Sequence, residues 1–83
     1  MATAPAEVER VRQLVAETLN LAPPEPSTDL IESGLLDSLA LVELLHALET
    51  ELGVEVPLDA LEIESFRTVE TIAELVAGLR SAA

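Results

Sequence analysis

The side chains of this chain that could do chemistry are few. There is one histidine, His46, and no cysteine, and a serine, Ser38, stands between Asp37 and Leu39 where a long polar stretch meets an apolar run. The first chemistry to weigh is a hydrolytic Ser38–His46 pair, with the imidazole as base. Spacing rejects it. Eight residues along one helix place the two groups roughly 12 Å apart along the axis, far beyond hydrogen-bond reach. His46 then reads as a surface residue, or at most a partner contact. One histidine without cysteine makes no zinc site of ordinary ligation. Glycines at 34, 53 and 78 are too scattered for a phosphate loop, and the acids lack calcium-loop spacing. No catalytic group and no metal site are expected.

Ser38 remains, and it supports two readings. Asp followed by Ser before an apolar helix is a common cap and nothing more. Alternatively, Ser38 is a covalent attachment point. A serine in the first turn of a helix is exposed, and the free N–H groups and dipole of a helix N-terminus favour a phosphodiester there. No base is needed within the chain if a second protein supplies the chemistry.

The elements that must position Ser38 can be read from apolar spacing. Val8, Val11, Val15 and Leu19 make one stripe over residues 6–19, behind Pro5, which suits a helix start. Pro23, Pro24 and Pro26 end that helix and force an extended connection. Residues 25–37 form a loop longer than compact domains usually carry, a mark of function. Its Leu30, Ile31, Leu35 and Leu36 should pack onto the helices, and Gly34 should take a positive φ. A second helix begins at Ser38 with Asp37 as N-cap and ends at Gly53. Its expected core stripe is Leu41, Val42, Leu45, Leu48 and Leu52, which leaves Leu39, Glu43, His46, Ala47 and Thr50 on other faces. One short helix is expected from Asp59 to about Glu64. Thr68 caps a last helix, from Val69 to about Arg80, with Val69, Ile72, Ala73, Val76 and Leu79 inward. The predicted fold is all-α: a four-helix up-and-down bundle of three longer helices, a short third helix and a long first loop.

Composition bounds the rest. The 83 residues include 16 acids and 4 bases, for a formal net charge of -12, with 49% hydrophobic residues and a single aromatic, Phe66. That length allows one domain, spanning 1–83 with 1–5 and 81–83 frayed. Half the residues are apolar, which argues for folding against disorder. The charge argues against nucleic acid and against anionic membranes, since both are bound through Lys and Arg, and it favours basic protein partners. The first residues lack the basic start and apolar run of a secretory signal, and no stretch approaches a membrane span. A cytoplasmic monomer is expected.

At Gly34-Leu35-Leu36-Asp37-Ser38-Leu39 the sequence resembles the carrier proteins of acyl, aminoacyl and peptidyl synthesis. Their signature is Asp-Ser-Leu at the start of the second helix. The resemblance extends over residues 6–80, through Val42-Glu43-Leu44, Leu48-Glu49, Gly53-Val54 and Phe66-Arg67-Thr68-Val69. It implies that Ser38 receives 4′-phosphopantetheine from coenzyme A through a phosphopantetheinyl transferase, with Asp37 and Leu39 beside it. The arm's thiol would then hold an acyl or aminoacyl cargo as a thioester, and the lack of Cys fits an imported thiol. Leu39, Glu43 and Ala47, continued by Asp59, Glu62 and Glu64, would be the docking face. The implied partners are the transferase, a loading adenylating enzyme or acyltransferase, and downstream synthase enzymes with basic patches. The chain itself would be no enzyme.

The resemblance also bears on the branch. Common bacterial fatty-acid carriers usually place Asp after Asp-Ser-Leu, where this chain has Ala40. Ser33-Gly34-Leu35-Leu36-Asp37-Ser38-Leu39 looks more like D-alanyl carriers and the freestanding carriers of polyketide and nonribosomal pathways. D-alanyl carriers typically have an aromatic residue where this chain has Leu39 and Pro where it has Val69, so the biosynthetic branch is preferred and a freestanding carrier is expected. The alternatives are a D-alanyl carrier for cell-envelope modification and a plain acidic interaction module. Residues 13–66 hold 12 acids and no Lys or Arg, while the remaining four acids and four bases cancel. The whole net charge therefore falls on the span around Ser38.

Overall fold

The computed structural model describes residues 4–57 and 61–82, the last two by backbone alone. Three α-helices carry the fold: α1 (Pro5–Leu19), α2 (Ser38–Leu52) and α3 (Val69–Ala82). A four-residue 3-10 helix, Ile63–Phe66, precedes α3. The architecture is all-helical as expected, but the short third helix differs. Instead of one short helix from Asp59 to about Glu64, Leu61 and Glu62 are non-helical and a single 3-10 turn starts after Glu62. Asp59 itself lies outside the described residues.

Local chemistry explains the boundaries. Pro5 occupies the first turn of α1, where its missing N–H costs no hydrogen bond. Asn20 ends α1 in the left-handed region, at φ 55°, and the Leu21 N–H returns to the Ala16 carbonyl at 3.0 Å. Asp37 caps α2 and Gly53 closes it at φ 68°, where a side chain would be strained. Thr68 and Thr71 cap α3 reciprocally. The Thr71 N–H donates to Thr68 Oγ1 at 3.1 Å, and the Thr68 N–H donates to Thr71 Oγ1 at 3.1 Å.

α1 packs against both α2 and α3, and the 3-10 turn packs against α3. Val11, Val15, Leu30, Leu44, Leu48, Phe66, Val69, Ile72 and Val76 are fully buried between them. The α1 and α3 stripes are as expected, with Leu14 and Ala16 as additional buried residues of α1. The α2 stripe is rotated from its expected position. Val42, assigned to the core, is 62% exposed, and Leu44 is buried in its place. Ala47, expected near the surface, is half-buried against the core. At about 100° per residue, Val42 and Leu44 flank the Leu41–Leu45–Leu48–Leu52 stripe on opposite sides, so the pattern alone does not choose between them. Packing against α1 does.

The long loop is pinned down along its length. Arg12 donates from Nε to the Pro24 carbonyl at 2.7 Å, and the Glu70 N–H donates to the Pro26 carbonyl at 3.2 Å. Leu30 and Leu36 are buried, Ile31 is half-buried, and Leu35 stays 37% exposed. Gly34 takes the positive φ expected of it, 81°.

Candidate functional site

The loop delivers Asp37 to the head of α2 in an extended conformation, with φ -102° and ψ -174°. Its Oδ1 accepts the Ala40 N–H at 2.8 Å, and its carbonyl accepts the Leu41 N–H at 2.8 Å. The first bond satisfies one of the free donors of the helix start, and the second is the first regular bond of the helix. Ser38 is the first helical residue and is exposed. Among the described residues its hydroxyl makes no hydrogen bond, and the N–H groups of Ser38 and Leu39 have no partner. An unencumbered hydroxyl beside free N–H donors, at the positive end of a helix dipole, fits a phosphodiester. That donor set fits a phosphate-linked arm on Ser38.

Around Ser38 the outer face of α2 is apolar at points and acidic between them. Leu39 is 69% exposed and Glu43 and His46 are exposed. Val42 lies one turn beyond Ser38 on that face and belongs to the exposed set, as does Ile63 of the 3-10 turn at 52%. For Val42 the apolar pattern led to a core assignment, which its exposure corrects. Their exposure is decided by packing, and no sequence signal beyond their place at the edge of an apolar stripe marks them.

The acids expected to dock partners are not equivalent. Glu43 and Glu62 are exposed. Glu64 is held by Arg67, with Nε donating to Oε2 at 2.6 Å and Nη2 to Oε1 at 2.9 Å. These bonds keep the Glu64 carboxyl below the usual carboxylate range. Asp29 is lowered too, first by the Glu32 N–H and then by Arg67. Arg67 is raised in turn, chiefly by its bonds to Glu64 and Asp29.

A groove of about 230 Å³ lies beside the site, between Thr18 and Leu19 of α1 and Asp37, Leu39 and Glu43. A groove of about 420 Å³ lies at the far end of α2, beside Glu51 and Leu52, and away from Ser38. Among the described residues no group of three or more His, Asp or Glu could hold a metal ion, and no helix is long and apolar enough to cross a membrane.

Residues 9–76 match the family model described as the phosphopantetheine attachment site. The chain is 37% identical to an acyl carrier protein of Thermosynechococcus vestitus over 71 residues, 83% of this chain and 85% of the relative. It is 44% identical to an acyl carrier protein of Saccharopolyspora erythraea, covering 86% of this chain and 75% of the relative. A D-alanyl carrier protein of Bacillus pumilus is 38% identical, over 66% of this chain and 70% of the relative.

Proposed function

This chain belongs to the phosphopantetheine-binding carrier family, and from that premise we propose that Ser38 is the residue that bears the arm. A carrier of this family is not an enzyme; it holds cargo for others on a covalently attached 4′-phosphopantetheine. When bound, the arm supplies a terminal thiol that carries the cargo as a thioester. Family membership also displaces the reading of a plain acidic interaction module.

The observation that carries the assignment to Ser38 is its hydroxyl, exposed and unpaired at the head of α2. Asp37 keeps that helix start in shape through its bond to the Ala40 N–H. Leu39 stands exposed beside it. In arm transfer the Ser38 oxygen bonds to phosphorus, the bond to the departing adenosine bisphosphate breaks, and the serine proton passes to the transferase. Incubation with coenzyme A, Mg²⁺ and a promiscuous phosphopantetheinyl transferase should add one phosphopantetheine mass to the wild type and none to Ser38→Ala. A folded wild type that gains no mass overturns the assignment.

The docking face we assign comprises Leu39, Glu43 and Glu62, flanked by Val42 and Ile63, with Ala47 and Glu64 in supporting positions and Asp59 placed there on sequence alone. Basic patches on the transferase, on a loading adenylating enzyme or acyltransferase, and on downstream synthases are its counterparts. We assign residues 1–83 to one carrier domain working as a cytoplasmic monomer. The pathway we favour is polyketide or nonribosomal biosynthesis with a small acyl or aminoacyl cargo, on the strength of Ala40 against a fatty-acid role and of Leu39 and Val69 against the D-alanyl branch. The D-alanyl reading is the second, supported by identities of 38% and 43% to proteins of that name. Intact mass of the protein from its native host separates the two by cargo.

A further inference from the structure

We propose that Arg67 is a positioning residue for arm transfer: by gripping Asp29 it orients the loop that presents Ser38 to the transferase. The inference rests on Ser38 as the acceptor. Asp29 uses its two carboxylate oxygens differently. Oδ1 accepts the N–H groups of Ile31 at 3.1 Å and Glu32 at 2.8 Å, which builds a turn. Oδ2 accepts from Arg67 Nη1 at 2.7 Å. The turn is closed by Ser33 N–H on the Asp29 carbonyl at 3.1 Å and Leu36 N–H on the Leu30 carbonyl at 2.9 Å. Residues 29–36 are therefore one hydrogen-bonded unit, and the next residue is the Asp37 cap.

Arg67 holds that unit from outside by two routes. Its guanidinium grips Asp29, and its own carbonyl accepts the Leu30 N–H at 2.7 Å. Arg67 is steadied in turn by Glu64. Among the described residues Arg67 is the cation paired with Asp29; residues 13–66 contain no Lys or Arg, Arg12 is committed to Glu9 and the Pro23 and Pro24 carbonyls, and Arg80 to Glu7. The Arg67 and Asp29 side chains are 35% and 31% exposed, so the pair contributes little to global stability. What it sets is the orientation of the 29–36 unit, which leads directly into the Asp37 cap, and small misplacements of a reacting group lower the rate.

The test is steady-state arm transfer with a promiscuous transferase on the full chain. Arg67→Ala and Asp29→Asn should each lower kcat about fivefold, with KM for the carrier within about twofold of wild type. Asp29→Asn keeps an oxygen for the turn and loses the pair, and Arg67→Lys should recover part of the rate. Combined, the two losses should not add. Arg80→Ala, which removes an ion pair remote from the loop, is the control and should leave kcat unchanged. An unchanged kcat, an effect on KM alone, or an equal loss in Arg80→Ala overturns the proposal. If Arg67→Ala does not fold, Asp29→Asn decides alone. Modification of Ser38→Ala would instead overturn the acceptor assignment, a separate outcome.

Discussion

Arg80, near the end of α3, donates from Nη1 to the carboxylate of Glu7 in the first turn of α1 at 2.9 Å. Its Nη2 also donates to the Leu52 carbonyl at the end of α2, at 3.3 Å. One guanidinium thus ties the ends of all three helices. Arg80→Ala should cost about 1 kcal/mol, at the upper end for a partly exposed pair, because the Glu7 side chain is only 14% exposed. Chemical denaturation of the two proteins checks this.

The excess charge should oppose that tie. With 16 acids against 4 bases, like-charge repulsion strains a thin-cored domain. Added salt or Mg²⁺ should therefore raise Tm by screening, and a flat Tm across a salt titration would show the repulsion to be unimportant.

Asp37 has a dual consequence. Asp37→Ala removes the acceptor of the Ala40 N–H and should cost about 1 kcal/mol. Asp37→Ser retains a cap and should stay within a few tenths of wild type. Urea midpoints of the three proteins make the comparison.

The core and the outer face should respond in opposite ways. Phe66→Ala empties the largest fully buried side chain and should cost about 3–5 kcal/mol. That is a large part of the stability of a domain this size, about 4–12 kcal/mol. Val42→Ser and Leu39→Ser should stay within about 0.5 kcal/mol of wild type, since both are exposed. They should nonetheless slow arm transfer or loading about tenfold if these residues anchor partners. Thermal melts and transfer rates, measured on the same preparations, separate the two effects.

Acid should release the loop clasp. The Asp29 and Glu64 carboxyls lie below their ordinary values of 3.8 and 4.5 in the folded protein. A carboxyl lowered on folding contributes stability above its unfolded value, and that contribution is lost as pH falls through the folded one. Tm of the wild type should therefore fall slightly more steeply than that of Asp29→Asn once pH drops below about 4, the small size of the difference following from the partial exposure of the pair. Parallel curves would show that the Asp29 pairing is not what acid removes.

Much of this protein is legible in its residues, and the exceptions are instructive. Asp37 before an apolar run, Gly53 after one, and Thr68 before Val69 carry their own local hydrogen-bond logic, and each caps or closes the helix it was expected to. The turn before α3 was harder to read. The expected start at Asp59 lies outside the described residues, and the helix observed is a single 3-10 turn at Ile63–Phe66. Four residues offer no periodicity to separate a 3-10 turn from an α-helix.

The sequence by itself determined the helical class and the place of Ser38 at a helix head, because caps and 3.6-residue periodicity act within a few neighbouring residues, while the family was legible through the resemblance carried by Asp37-Ser38-Leu39 and its flanking residues. Tertiary structure decided which side of α2 is wet. Val42 and Leu44 are equally apolar and flank the same stripe, and α1 covers one of those sides. It also decided which charges meet: Arg67 pairs with Asp29 across 38 positions and Arg80 with Glu7 across 73. Such pairings depend on how the helices cross, which a linear pattern of residues does not encode.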